Sequence, residues 1–112
     1  MLVGPDAPQA LVDALRNART SVASAAIALR LREVVDVDAR RALLDCRVPI
    51  LCLSADADRL VSRRACDEIR SLRPDATYVE LRGPHVLLAR HPSQSASSIS
   101  PWLAAQAAPA AG

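Results

Sequence analysis

The stretch that decides the fold is RVPILCLSADADRLV (residues 47–61). Its residues 48–53 form a near-continuous apolar run, which is typical of a strand that is buried on both faces in a parallel sheet. A second strand is predicted for residues 76–82, where apolar and polar side chains alternate as on an edge strand with one face in water. Between the two strands, Ser62 is a suitable N-cap for a helix over residues 63–72.

A strand, a helix and a second strand in this order predict a right-handed βαβ crossover with parallel strands. The predicted fold class is therefore α/β, with two parallel strands, about residues 48–53 and 76–82, and flanking helices. Asp58 and His85 follow the carboxyl ends of these strands, where open α/β sheets bind their ligands. An Asp that holds a His in one tautomer is two thirds of a nucleophilic triad. The residues alone favour a simpler role for Asp58, as a turn or capping residue.

Helical spacing of apolar side chains extends over residues 9–32, which predicts one long amphipathic helix or two short ones that break near Thr20-Ser21. A short helix is predicted for residues 39–45. A last helix begins at His91-Pro-Ser93, and Pro101 is expected to kink or shorten it. His91 is expected to be a surface residue, and residues 1–8 an irregular lead-in.

Composition narrows the possible functions. With 112 residues and a net charge of +2, the chain is one domain or part of one, and it lacks the basic and aromatic surface that binds nucleic acids. Its three cysteines form no Cys-x-x-Cys pair, so no metal site is expected. No apolar run reaches the roughly 18 residues of a membrane span, and residues 1–8 do not resemble an export signal. Free thiols then favour a cytoplasmic location.

Two motifs resemble those of the C-terminal part of the α/β-hydrolase fold family. VPILCL with the later DRLV (residues 48–61) is similar to the stretch that carries the family's triad acid. GPH (residues 83–85) followed by Pro92 is similar to the stretch that carries its histidine. The resemblance covers about residues 36–103. It implies three regions, which are the end of a cap segment (1–35), a βαβα hydrolase part (36–105) and a flexible tail (106–112).

The resemblance also implies catalytic roles for Asp58 and His85, and it implies no metal and no organic cofactor. His85 would act as general base and then general acid, and Asp58 would orient the imidazole during hydrolysis of an ester, a thioester or a similar acyl bond. Asp56 competes for the acid role, but the Asp-x-x-Val spacing favours Asp58. Ala55 and Pro84 depart from the family pattern, because glycine is common at both positions.

The family's nucleophile has no counterpart in this sequence. Its serine precedes the acid in a Gly-x-Ser-x-Gly turn, and the three glycines here are Gly4, Gly83 and Gly112, so no such turn can be written. The segment that forms the oxyanion hole is absent as well. We therefore predict that the chain alone is inactive, and that it acts on a small acyl substrate only when an N-terminal portion supplies the nucleophile.

A second interpretation is a small non-catalytic α/β module that acts through protein contacts. Two strands make too small a sheet for independent stability, and the apolar strand over residues 48–53 has an unpaired edge. We predict that the chain forms a homo-oligomer, binds a partner chain over this edge, or folds its N-terminal helix over the gap.

Overall fold

The two strands lie in the second half of the chain and are joined by a helix. A computed structural model describes residues 3–108. Its elements, in chain order, are α1 (Gln9–Thr20), α2 (Ser24–Asp36), α3 (Arg40–Asp45), β1 (Leu51–Ala55), α4 (Arg63–Leu72), β2 (Thr77–Leu81), α5 (Leu87–Arg90) and α6 (Pro92–Ala107). The N-terminal half therefore forms two helices, as in the second of the two alternatives. Residues 109–112 of the predicted tail lie outside the described residues.

The sheet is parallel, and α4 forms the crossover between its two strands. The strands are in register from the pair Leu51 and Thr77 to the pair Ala55 and Leu81. This arrangement confirms the predicted fold class of two parallel strands with flanking helices.

The two faces of the sheet carry different helices. On one face, the Tyr78 hydroxyl of β2 donates a hydrogen bond to the Ile69 carbonyl of α4 over 3.2 Å. On the other face, Trp102 Nε1 of α6 donates to Thr77 Oγ1 over 3.2 Å. Neighbouring residues of a strand point to opposite faces, so Thr77 and Tyr78 anchor one helix each. α6 continues through Pro101 for 16 residues, so the proline does not shorten it.

β1 differs from the prediction in its bounds and in its burial. It begins at Leu51, later than predicted, because Pro49 has no N–H for the ladder. The prediction of a strand buried on both faces is wrong, since all five residues of β1 are only half-buried. Within residues 3–108, β1 pairs with β2 alone. Its second edge therefore remains open.

Hydrogen bonds at both ends fix α4. The predicted N-cap is confirmed, because Ser62 Oγ accepts a hydrogen bond from the Ala65 amide over 3.2 Å. Just beyond the C-terminal end, the Arg73 side chain is 10% exposed and donates to both carboxylate oxygens of Asp75 at 2.8 Å. It also donates to the carbonyls of Leu43 and Cys46 at 2.8 Å. Arg73 thus joins α3 to the turn between α4 and β2.

We expect Arg73→Met to lower the melting temperature by about 10 °C, because two carbonyls lose their charged donor. Arg64→Met is the matched control, since Arg64 is exposed and makes no ion pair with residues 3–108; it should melt within about 2 °C of the parent chain. Equal melting temperatures for the two variants in a calorimetric scan would contradict this assignment.

The same ion pair predicts an acid-dependent stability. The hydrogen bonds from Arg73 lower the pKa of Asp75 to about 2, from an ordinary value of 3.8. A carboxyl group whose pKa is lowered by folding contributes stability above its unfolded pKa and loses it as the pH falls through the folded one. The difference in melting temperature between the parent chain and Asp75→Asn should therefore be constant above about pH 4 and shrink towards pH 2. A constant difference down to pH 2 would contradict the pairing.

The N-terminal half is exposed except where it meets the loop after β2. Neither α1 nor α2 contains a buried residue, and Val35 of α2 is 81% exposed. Val3, by contrast, is 3% exposed, and the Asp6 carbonyl accepts a hydrogen bond from Arg90 over 2.7 Å. Residues 3–8 of the lead-in therefore have an irregular conformation but are held against the rest of the chain.

Candidate active site

Asp58 lies in the turn that follows β1, and backbone amides orient its side chain. Asp58 Oδ1 accepts hydrogen bonds from the amides of Leu60 and Val61 at 2.8 and 2.9 Å. Short polar side chains commonly bond the backbone two or three residues ahead in this way. Because Oδ1 is held by the turn, the second oxygen, Oδ2, is available to another partner.

His85 lies in the loop that follows β2, and Gly83 shapes this loop. Gly83 has a φ of +144°, in the region where residues other than glycine are strained. A Cβ atom at this position would lie 2.7 Å from His91 Cδ2 and 3.3 Å from Leu87 Cδ2. The prediction of His91 as a surface residue is therefore wrong. Its ring is half-buried against the backbone of Gly83.

We expect Gly83→Ala to destabilise the fold by about 2 kcal/mol or more, through backbone strain and the contact with His91. Gly4→Ala is the control, because Gly4 also has a positive φ, of 77°, but a Cβ atom added there would come no closer than 3.7 Å to its nearest neighbour, Pro84 Cγ. It should cost only about 1 kcal/mol. Urea denaturation measures both, and an equal cost for both variants would show that His91 is not in contact with Gly83.

The two loops bring Asp58 and His85 into direct contact. Asp58 Oδ2 lies 2.8 Å from His85 Nδ1. An ionised carboxylate can only accept hydrogen bonds, so Nδ1 must carry the proton. In the neutral ring, Nε2 then presents its lone pair, which is the atom a general base uses.

The environment keeps the Asp58 carboxyl group ionised. Its side chain is 13% exposed, while that of His85 is 37% exposed and reaches the surface. Burial alone would raise the pKa of Asp58, but the hydrogen bonds from the Val61 amide, the His85 ring and the Leu60 amide outweigh it and lower this pKa below its ordinary value. The acid is therefore a fixed anion beside a histidine that solvent or a substrate can reach.

Asp56, the competing candidate, has a different partner. Asp56 Oδ1 accepts a hydrogen bond from the Gly83 amide over 2.9 Å. In the described part of the chain, the hydrogen-bond partner of the His85 ring is Asp58. The two aspartates therefore bind the same loop at two different points.

An apolar groove of about 800 Å³ adjoins His85. Its walls come from β1 and the residues before it, from the loop and short helix after His85, and from α6; they include Pro49, Leu51, Leu53, Leu88, Ile99 and Trp102. The groove lies on the face of the sheet that carries α6. His85 therefore lines the same groove as β1, the strand with the open edge.

No hydroxyl group among residues 3–108 forms a hydrogen bond with His85, whose ring partner is Asp58. Ser21 Oγ donates to the Ala18 carbonyl beside α1, and Ser24 opens α2. Ser54 lies within β1 and lines the cleft on the α4 side of the sheet. Ser95 is 1% exposed, so a substrate cannot reach it. The histidine therefore has an acid partner but no serine to deprotonate among residues 3–108.

Residues 3–108 contain neither a candidate metal-binding cluster nor a candidate membrane-spanning helix. Between Val3 and Ala108, no three His, Cys, Asp or Glu side chains lie close enough to hold a metal ion. The helices of this same range include none that is long and apolar enough to cross a membrane.

Sequence reasoning missed two supports of the dyad. The bond from the Gly83 amide to Asp56 joins positions 27 residues apart, and the packing of His91 on Gly83 depends on the path of α5 and α6. A glycine directly before Pro84 gave the only local signal, because it permits a close approach of other atoms.

Comparison with known proteins relates the chain to a solved hydrolase structure. No protein-family model matches the chain, and no curated protein matches it significantly. Among solved structures, it is similar to E-2-(acetamidomethylene)succinate hydrolase, with a TM-score of 0.58 and 26% sequence identity. The match covers 61% of this chain and 26% of that hydrolase, so the chain spans about a quarter of its relative. That relative is a hydrolase with the α/β-hydrolase fold.

Proposed function

We propose that this chain is the C-terminal, acid- and histidine-bearing portion of an α/β-hydrolase that cleaves ester- or thioester-type acyl bonds. The observation that carries the proposal is the 2.8 Å contact between Asp58 Oδ2 and His85 Nδ1, beyond the carboxyl ends of two adjacent parallel strands. The similarity to part of a hydrolase supports it. Residues 1–35 then correspond to the end of a cap segment, and residues 36–105 to the part that carries the dyad.

In the proposed reaction, His85 Nε2 removes the proton from a serine hydroxyl as the serine oxygen attacks the acyl carbon. The imidazolium then gives this proton to the leaving alcohol or thiol, and an acyl-enzyme remains. A water molecule, deprotonated by the same Nε2, then attacks the acyl carbon; the bond to the serine oxygen breaks, the imidazolium returns the proton to this oxygen, and the acid is released. Asp58 stays ionised and stabilises the imidazolium.

The serine must come from outside these 112 residues, since no Gly-x-Ser-x-Gly turn occurs in them. The open edge of β1 and the apolar groove beside it support the proposal that the portion with the serine binds there. A parallel strand paired with β1 would extend the sheet, and its side chains would cover Leu51 and Leu53. Covering this surface is also favourable, at about 25 cal/mol for each Å² of apolar area.

Reconstitution tests the proposal. The partner is E-2-(acetamidomethylene)succinate hydrolase from which the segment matched by this chain has been removed; we call it the nucleophile-bearing portion. We call the mixture of the nucleophile-bearing portion and this chain the reconstituted hydrolase. The positive control is the nucleophile-bearing portion mixed with the segment that was removed from the relative. We expect a fluorophosphonate probe to label the serine of the nucleophile-bearing portion only when this chain is present. Labelling that is restored by the relative's segment but not by this chain would contradict the proposal.

A second candidate function is a non-catalytic interaction module, and one observation favours it. Four apolar side chains of α2 are each at least 60% exposed, namely Leu29, Leu31, Val34 and Val35. An apolar surface of this kind commonly marks a protein contact. A tight homodimer in sedimentation equilibrium that Val35→Glu dissociates, together with no labelling in the reconstituted hydrolase, would favour this module over the hydrolase.

A further inference from the structure

Two parallel hydrogen bonds connect the loop after β1 to the loop after β2. One joins Asp58 to His85, and the other joins Asp56 to Gly83. Asp58 lies two positions after Asp56, and His85 lies two positions after Gly83. Both bonds therefore join residues that are 27 positions apart in the sequence. The relative position of the dyad residues is therefore fixed by a second bond of the same direction, two residues earlier in each loop.

We infer that Asp56 is a positioning residue, whose carboxylate holds the Gly83 amide so that His85 Nδ1 stays within hydrogen-bond distance of Asp58. The catalytic role of Asp58 and His85 rests on the proposed function, whereas this inference concerns the geometry of the two loops. It gives Asp56 a role other than the acid of the dyad.

The backbone bonds around Asp56 show how its side chain contributes. The Asp56 amide donates to the Leu81 carbonyl over 3.0 Å, and the Ala57 amide donates to the Gly83 carbonyl over 3.1 Å. These two bonds extend the β1–β2 pairing beyond the strands without any side chain. The bond from the Gly83 amide to Asp56 Oδ1 is the one that a substitution can remove.

Gly83 needs such an anchor more than other residues would. It has no Cβ to restrict its backbone, and its φ of +144° lies outside the range that other residues favour. His91 lies on one side of this loop, and Gly4 lies near Pro84, since a Cβ atom added at Gly4 would be 3.7 Å from Pro84 Cγ. These contacts limit the position of the loop, while the bond to a carboxylate fixes the direction of the Gly83 amide plane. Charge-assisted bonds of this type are about twice as strong as neutral ones.

The test is the tautomer of His85 in the isolated, folded chain, read from ¹⁵N chemical shifts of the ring. The parent chain should hold its neutral imidazole with the proton on Nδ1. We expect Asp56→Ala to reduce the ratio of the Nδ1–H to the Nε2–H form by about tenfold, as for the loss of one hydrogen bond. It should also raise the pKa of Asp58 towards its ordinary value. Asp56→Asn should retain both properties, since its amide oxygen can accept the same bond.

Asp67→Ala is the matched control, because Asp67 is an exposed carboxylate of α4 outside both loops, and it should leave the tautomer unchanged. A folded Asp56→Ala chain whose ratio stays within about twofold of the parent would overturn the inference. If Asp56→Ala does not fold, Asp56→Glu replaces it, because its longer side chain displaces the acceptor. A fall of the ratio by about threefold or more then supports the role, and an unchanged ratio overturns it. None of these readouts depends on the reconstituted hydrolase, so a failure of the proposed function is seen separately.

Discussion

Replacing His85 with alanine is expected to lower kcat of the reconstituted hydrolase by about 10⁵- to 10⁶-fold, as the loss of a triad histidine does elsewhere. The physical reason is that His85 Nε2 is the general base of the proposed mechanism. Asp58 is a poor substitute, because its lowered pKa makes it a weak base and the turn amides of Leu60 and Val61 already occupy Oδ1. Initial rates with p-nitrophenyl acetate at saturating partner concentration measure the loss.

Two controls separate a catalytic loss from a structural one. Binding of His85→Ala to the nucleophile-bearing portion should be unchanged, and free imidazole should restore part of the rate, since it can occupy the space of the missing ring. Retention of more than about 1% of the parent rate would show that another group acts as the base.

Asp58→Asn is expected to lower kcat by about 10⁴-fold, the loss found when an asparagine replaces the acid of a triad. The asparagine amide can donate to Nδ1 and thereby favours the tautomer with the proton on Nε2, which cannot act as a base. Thermal stability should change little, because the amide oxygen can still accept from the turn amides of Leu60 and Val61.

Asp56→Asn is the matched control for this variant, since it makes the same chemical change two residues away in the same loop. It should lose less than about tenfold, because an amide oxygen at this position can still accept from the Gly83 amide. A larger loss in Asp56→Asn than in Asp58→Asn would transfer the role of the acid to Asp56.

The parts of the fold that depend on local sequence could be predicted. Ser62 caps α4 because a hydroxyl at that position satisfies an amide of the first turn. The contact between Asp58 and His85 could be expected, because a right-handed crossover places the ends of consecutive parallel strands side by side. The N-cap is predictable because its signal lies within a few residues, and the contact is predictable because it follows from a general rule of topology.

Other features depend on distant parts of the chain or on a missing neighbour. Arg73 finds its carbonyl partners 27 and 30 residues away, and no sequence pattern marks a carbonyl as an acceptor. Asp56 and Asp58 are alike in sequence, and only the register of the two loops assigns Gly83 to one and His85 to the other. The apolar run of β1 predicts burial, but its burial is incomplete because the structure holds one strand beside it.

That incomplete burial and the isolated dyad have a common explanation in the proposed function. A chain that matches about a quarter of a hydrolase keeps the loops that carry the acid and the histidine. The remaining portion would supply both the strand that covers β1 and the serine that His85 activates. A single binding event would therefore complete the sheet and the active site.

The most direct measurement is a titration of the nucleophile-bearing portion with this chain, followed by the rate of ester hydrolysis. The account predicts that each component alone shows no rate above background. It also predicts that the rate rises and saturates at one chain per partner, and that the His85→Ala chain gives no rise. A partner that binds this chain, as seen by sedimentation, without any gain in rate would contradict the claim that Asp58 and His85 form a catalytic dyad.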